Sequence, residues 1–451
     1  MRVKQLKITS FRGIRDLTLT FDQQNLTVFI GINGVGKSSI LDCIAILLSW
    51  LLARIEYDPD ETSVSTFMRN KRVLSEGWYF EPQDIKNGFQ KTRSEMIFSI
   101  DQDKDEIHWF LEQDTQPINR VITIGSKRNF TWGDEDEVSE KDGLEAIADR
   151  IRNQWKEDPK ANIPLAVYYP VNRGVLDIPL DIKNNYRFKQ VEAYEQALTG
   201  VQVSFDSFFK WFRALEETEN EERRDNIEYR DRQLEAVRRA IYSILGEEFD
   251  DLRVRRKPYL RMTILKHGEE IIVDRLSDGE KSLLAMAGDL ARRLAISQPS
   301  RALPLEGSAV VLIDEIEQHL HPSWQRRILS LLTETFPNCQ FIVTTHSPQI
   351  VSQVQPESIY ILEKMGEDII AKHPESSFGR DSNRILEDLM GVPERPLEIK
   401  EKLLELFRVI NDGDLERAKA MQQEIAAEIG DDEPELVKAS VSIRRREILN
   451  R

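Results

Sequence analysis

The stretch "RLSDGEKSLLAMA", Arg275–Ala287, decides how this chain folds. A short polar Ser-Gly loop runs straight into an apolar segment of helical character. Together they make a helix N-terminus suited to an anion, because the first N–H groups of a helix lack internal acceptors. A second loop of this kind lies far earlier, "GINGVGKSS", Gly31–Ser39. It matches G-x-x-x-x-G-K-[ST], after the apolar run "LTVFI" and before a helical run. The glycines let backbone N–H groups close on phosphate oxygens. Asn33, Gly34, Val35, Gly36, Lys37, Ser38 and Ser39 then form the cradle. Lys37 reaches the β- and γ-phosphates, and the Ser38 hydroxyl ligates Mg²⁺.

Two further apolar runs end in functional side chains. "AVVLIDE", Ala309–Glu315, closes on two carboxylates. Side chains alternate along a strand, so Asp314 and Glu315 are expected to diverge. Asp314 suits the metal, through its water shell, and Glu315 suits orienting and polarising the attacking water. "IVTTHS", Ile342–Ser347, carries His346 at the carboxyl end of a buried strand. A lone His is more often structural. This one sits where open α/β sheets bind ligands, within reach of a γ-phosphate directly or through water.

The bulk properties narrow the class. A chain of 451 residues has room for one large domain with insertions or about three ordinary ones. Its 40% hydrophobic and 31% charged residues are those of a soluble globular protein. The longest apolar run, "SSILDCIAILLSWLLA", contains Asp42 and directly follows the phosphate loop, so it is expected as a buried helix. Cys43 and Cys339 lie in apolar segments and read as core thiols, which points to a reducing, cytoplasmic location. The net charge of −16 argues against coating nucleic acid non-specifically. The basic runs at 69–72, 253–261 and 444–446 are the candidate contacts, each more often a solvated face.

Along the chain, "VKQLKI", "LTLTF" and "LTVFI" read as strands before the phosphate loop. Residues 57–165 are polar and irregular, with strand candidates "EMIFSI" and "EIHWFLEQ". "IPLAVYYP" is a buried strand, so both ends of the first half are expected in one sheet. Residues 189–248 turn helical and charge-dense. Strands return at "LRVRR", "LRMTIL" and "EIIVDRL", and beyond about residue 375 the chain reads as helices.

The order phosphate loop, LSDGE, strand-Asp-Glu, strand-His resembles that of the ABC-type ATPase domain. The resemblance covers the first 56 residues and about 163 to 350. It implies an α/β fold, an ABC-type P-loop ATPase head. Lobe I, with a mixed sheet around the P-loop helix, spans residues 1–188 and includes a β-rich insertion at 57–165. The helical insertion of lobe II spans 189–250. The signature, Walker B and H-loop part spans 251–375, and a helical C-terminal oligomer or partner region spans 376–451. In that family the signature helix binds the γ-phosphate of ATP held by a second copy. The resemblance therefore implies ATP and Mg²⁺ as ligands, Lys37, Glu315 and His346 as catalytic groups, and Ser38 and Asp314 at the metal. Ser277, Gly279 and Glu280 would close on the other copy's nucleotide, in a two-fold dimer.

Asp278 stands where the family has a glycine and Glu280 where it has glutamine. Glu280 resembles the Rad50, SMC, RecF and OLD branch. Asp278 adds a carboxylate near a polyphosphate and raises the cost of tight closure. "SFRGIRD", Ser10–Asp16, resembles that branch's N-terminal turn, in which an arginine such as Arg12 faces the phosphates. "EIEQHLHPSWQRRI", Glu315–Ile328, resembles the D-loop segment of its AAA-type members. Glu317, His319 and His321 suggest either a metal site of non-standard spacing or packing at a dimer seam. No Q-loop glutamine is legible, but "YYPVNRG", with Asn172 and Arg173, lies where lobe I should contact the γ-phosphate.

"VYYPVNRGVLDIPL", "SFDSFFKWFRALEETEN" and "FGRDSNRILEDLMGVPERP" carry a second resemblance, to the PtuA-type ATPases of Septu and retron-linked bacterial anti-phage systems. It implies an antiviral-defence ATPase that forms a homo-oligomer, a dimer or a dimer-based assembly. It also implies a small HNH nuclease partner of the PtuB type, nucleic acid engaged through the complex, and no membrane. No nuclease motif is legible in the chain itself. The C-terminal helices "PLEIKEKLLELFRVI" and "LERAKAMQQEIAAEI" fit an oligomer or partner surface, or a cap on lobe II. Two other readings stay open: a stand-alone RecF-like DNA-repair ATPase using Arg253 to Arg261, and an ATP-binding scaffold with little turnover.

Overall fold

Alternating sequence gives strands with one wet face, and uninterrupted apolar sequence gives strands covered on both. Both kinds occur in the computed structural model, which describes residues 1–21, 25–56, 77–100, 106–115, 123–127, 142–171, 189–200 and 205–449. Strands β1 (Arg2–Phe11) and β2 (Ile14–Thr20) alternate and pair antiparallel. The next strand, β3 (Leu26–Ile30), is apolar except for Thr27 and leaves them for another sheet. β4 (Lys91–Ser99), β5 (Glu106–Asp114) and β6 (Thr123–Lys127) extend the first sheet in the order β2-β1-β4-β5-β6.

The central sheet is built from fully buried runs. β7 (Leu165–Tyr169), β11 (Ala309–Ile313) and β12 (Gln340–Thr344) are buried at every position. With β13 (Ile359–Met365) and β14 (Asp368–Lys372) they form a six-stranded sheet in the order β14-β13-β3-β12-β11-β7. All its strands run parallel except β14. A small antiparallel sheet, β10-β9-β8, comprises β8 (Phe249–Arg255), β9 (Arg261–Lys266) and β10 (Glu269–Ile272).

The phosphate-loop helix α1 (Lys37–Glu56) lies between the two large sheets, touching β4 and β5 on one side and β7, β11 and β12 on the other. By length and hydropathy it could cross a membrane, yet most of it is buried in the fold, as the sequence leads one to expect. Helix α2 (Asp142–Glu157) packs on α1. α3 (Phe205–Glu222) and α4 (Arg232–Leu245) fill the expected helical stretch, and the Asp231 side chain caps α4 by accepting from the Gln233 and Leu234 N–H groups. Both pack on α5 (Asp278–Ser297), which is buried on nearly every side. α6 (Ile328–Thr335) follows the Walker B strand. Cys43 and Cys339 are buried free thiols, and burial pushes both up to about 12.

β3 and β7, from the two ends of the first half, share the central sheet as expected, but β1 and β2 do not join them there and pair instead with the strands inserted after α1. Two strands separate the His strand from the C-terminal helices. β13 intervenes and hydrogen-bonds alongside the phosphate-loop strand. It opens on the short apolar run Ile359–Leu362, and Glu363 and Lys364 follow near its end.

A second compact unit begins at Arg380. It holds α7 (Ser382–Asp388), α8 (Leu397–Asp412), α9 (Leu415–Ile429) and α10 (Pro434–Leu449). Gly413, at φ 87°, ends α8 in the left-handed region, and Asp414 caps α9. Leu403, Leu406, Ile410, Ile425, Leu436 and Ile443 form the main part of this unit's own core.

Candidate functional site

Parallel strands β3, β12 and β11 lie side by side, so their carboxyl ends present the phosphate loop, His346 and Asp314–Glu315 along one edge. The loop is shaped for close backbone approach. Gly31 has φ 148°, and a Cβ there would stand 2.6 Å from the Leu362 carbonyl oxygen on β13. Only glycine fits that contact. Val35 is buried behind the loop and offers only backbone, whereas Asn33, Gly34 and Ser38 are exposed and Ser39 is partly so. Lys37 is buried, and its ammonium donates to the Gly31 and Ile32 carbonyls at 2.9 and 3.1 Å. Burial lowers its pKa, while Asp314, Glu315 and Glu317 oppose that shift.

The Walker B end is held by Thr344, which sequence reasoning does not single out. Its hydroxyl donates to Asp314 Oδ1 at 2.5 Å and accepts the Glu315 N–H at 2.8 Å. The Asp314 N–H bonds the Tyr169 carbonyl at 2.9 Å. Strand alternation does not reach Asp314 and Glu315. β11 stops at Ile313, and Glu315 takes a left-handed φ of 43°. For a side chain other than glycine this conformation costs about 1–3 kcal/mol and is held only where neighbours enforce it.

His346 is half-buried. Burial lowers its pKa, and the Lys37 charge lowers it further, so its ring is neutral at pH 7. Its backbone N–H donates to Glu317 Oε1. The other carboxylate oxygen, Glu317 Oε2, is buried with no protein partner. The D-loop residues thus divide their tasks. Glu317 fixes the His loop, and the His321 ring caps the next turn through the Ser323 N–H at 3.2 Å. His319 takes a left-handed φ of 63°. Among the described residues no His, Cys, Asp or Glu group forms a metal cluster.

The signature is built as a helix cap. Ser277 is exposed at the N-terminus of α5; its Oγ accepts the Glu280 N–H at 3.4 Å, and the Glu280 carboxylate accepts the Ser277 N–H at 2.9 Å. Ser-x-x-Glu is a capping-box pattern, so this role was readable. It corrects the expected role of the Glu280 side chain: it is buried and accepts from Lys266 Nζ at 2.6 Å. Burial would raise its pKa, but Lys266 and Ser277 hold it below the usual carboxylate range. The exposed acid at this end is Asp278. Gly279 lies against the D-loop, where a Cβ would stand 2.5 Å from the His319 carbonyl oxygen. Gly279→Ala is therefore expected to destabilise the fold by about 1–3 kcal/mol. Urea unfolding would show this, and an unchanged midpoint would refute the contact.

Arg12 also differs from expectation. It sits in a left-handed turn at φ 49°, and its guanidinium pairs with Asp42 on α1 and with Asp84, the latter at 2.8 Å. It braces the phosphate-loop helix rather than standing free for a phosphate. Deeper in, Asp289 on α5 accepts from Arg293 at 2.7 Å, Arg292 at 3.0 Å and the Tyr169 hydroxyl at 3.1 Å. Tyr169 thus joins the signature helix to the Walker B strand within one chain. Asn172, Arg173 and the basic run at 69–72 lie outside the described residues.

The family described as "AAA domain, putative AbiEii toxin, Type IV TA system" matches residues 26–352, from the phosphate-loop strand to just past His346. The chain belongs to this AAA family. It is similar to the Retron Ec83 probable ATPase of Escherichia coli, 28% identical over 99% of this chain and 87% of that protein. It is also similar to the Septu protein PtuA of Bacillus thuringiensis, 23% identical over 87% of this chain and 85% of that protein. Among solved structures, the SMC head domain from Thermotoga maritima aligns with 83% of this chain and 100% of its own, at 17% identity and a TM-score of 0.42. The matched span contains β3, β11 and β12, whose carboxyl ends build this edge.

Proposed function

We propose that this protein is the ATPase of a bacterial anti-phage defence system, binding and hydrolysing ATP at a two-fold interface between copies and controlling a partner nuclease of the HNH type. The observation that carries the ATPase reading is the Gly31–Lys37 cradle beside Asp314, Glu315 and His346 at one sheet edge. The residues fit the group: a backbone cradle that a Cβ would fill, a buried lysine, and a buried carboxylate oxygen of Glu317 without a protein partner. Ser38 and Asp314 would hold Mg²⁺, which neutralises charge on the phosphate oxygens. Lys37 stabilises the γ-phosphate, Glu315 orients the attacking water, and neutral His346 donates from its ring N–H. These roles are electrostatic and positional, as phosphoryl transfer requires.

The defence assignment rests on the similarity to retron and Septu ATPases along most of the chain. A cytoplasmic location follows from that reading. The exposed signature Ser277 supports closure by a second copy. Ser277→Arg should keep ATP affinity within about twofold while blocking ATP-dependent pairing, because a long cation fills the closing surface. Unchanged pairing in light scattering would refute the composite site. Co-expression of the Glu315→Gln chain with its gene neighbours, purification and mass spectrometry test the partner. A stoichiometric HNH protein is expected, and the ATPase alone would overturn that part. The DNA-repair alternative gains little from residues 253–261, since Arg253, Arg255 and Arg256 are each paired with a carboxylate.

A further inference from the structure

Helix α10 carries two apolar faces. Leu436, Ala439 and Ile443 point into the core of the C-terminal unit. Val437, Val441 and Ile448 point the other way and are 48%, 63% and 67% exposed. At about 100° per residue these three fall within one narrow stripe. Exposed Arg444 lies on the same stripe, between Val441 and Ile448 along the helix, and exposed Arg445 lies beside it, near the helix C-terminus. Exposed carboxylates, Asp431 and Asp432, precede its N-terminus. The helix thus buries one apolar face and leaves a second, smaller one exposed.

We propose that the outer face of α10 pairs with the same face of a second copy, antiparallel about a two-fold axis. The charge order selects this occupant. With acid at one end and base at the other, a parallel pair would stack like on like, and only an antiparallel pair sets each acidic end beside the other copy's arginines. The register agrees. Placing Val437 against Val441 of the second copy brings Asp432 within one turn of the second copy's Arg445. The two helix dipoles then oppose favourably. Two-fold pairing makes the contact self-complementary.

A 16-residue helix is about 24 Å long, and one such pair buries less than the roughly 1,600 Å² of a stable interface. The contact is therefore weak alone and gains strength when the same chains also meet elsewhere. None of its residues belongs to the nucleotide motifs, so it does not require ATP. It stands independently of the ATP-gated pairing.

The test uses the full chain carrying Lys37→Ala, which removes nucleotide-driven pairing, in sedimentation velocity without nucleotide across a wide concentration range. Reversible self-association is expected. Val437→Glu with Val441→Glu should weaken it at least about tenfold, with circular dichroism confirming an intact helix content. Arg444→Glu with Arg445→Glu should weaken it too. Mixing that chain with one carrying Asp431→Lys and Asp432→Lys should restore association between the two. A monomer at every concentration would overturn the proposal, as would association that the valine changes leave untouched. A monomer that binds vesicles of anionic phospholipid through Val441 would reassign the face to a membrane surface and also overturn it.

Discussion

Lys37→Ala should weaken ATP binding about 100-fold or more. Each charge-assisted hydrogen bond to a phosphate contributes about 1.5–3 kcal/mol, and this lysine makes more than one. The change has a second effect. Asp314, Glu315 and Glu317 all act on the Lys37 charge, so removing it leaves three carboxylates facing a polyphosphate. The buried ammonium also braces the loop through the Gly31 and Ile32 carbonyls, so some loss of loop order is expected as well. Titration calorimetry with ATP checks this. Full affinity in the variant would place the nucleotide away from Gly31–Ser39.

Glu315→Gln should lower turnover by about 10²–10⁴ while leaving ATP affinity intact, the range typical of losing a general base. The amide keeps the size of the side chain, so the left-handed backbone at this position is retained. ATP should then accumulate unhydrolysed, and nucleotide-dependent pairing should persist. Single-turnover hydrolysis separates this from slow product release. Wild-type turnover would exclude Glu315 as the base. Glu317, whose second oxygen is buried beside the same groups, would then be the next candidate.

Much of this site was legible because its motifs are local. A phosphate loop needs glycine, lysine and serine at fixed spacing, and a buried parallel strand needs a short apolar run. Gly31–Ser39, Ala309–Glu315 and Ile342–Ser347 therefore announce both their chemistry and their secondary structure. What stayed hidden depends on partners distant in sequence. Thr344 looks like any strand residue until β12 lies beside β11 and its hydroxyl meets Asp314 and Glu315. Arg12 reads as a phosphate ligand until Asp84 folds back to claim it. Glu280 was read only as a nucleotide contact, although the capping signal Ser-x-x-Glu was present. Lys266 decided the outcome by burying the carboxylate.

The sequence by itself determined the phosphate loop, the acidic and histidine strand ends, the buried character of α1 and the helical C-terminal region. These follow from residue spacing and periodicity, which act over a few turns or one strand. The tertiary structure alone decided which strands share a sheet, that β13 backs the phosphate loop, and that His319 leaves room only for a glycine at position 279. It also decided that Glu315 turns through a left-handed backbone. Such features are set by hydrogen bonds and close contacts between segments far apart in the chain, and no local pattern encodes the geometry of their meeting.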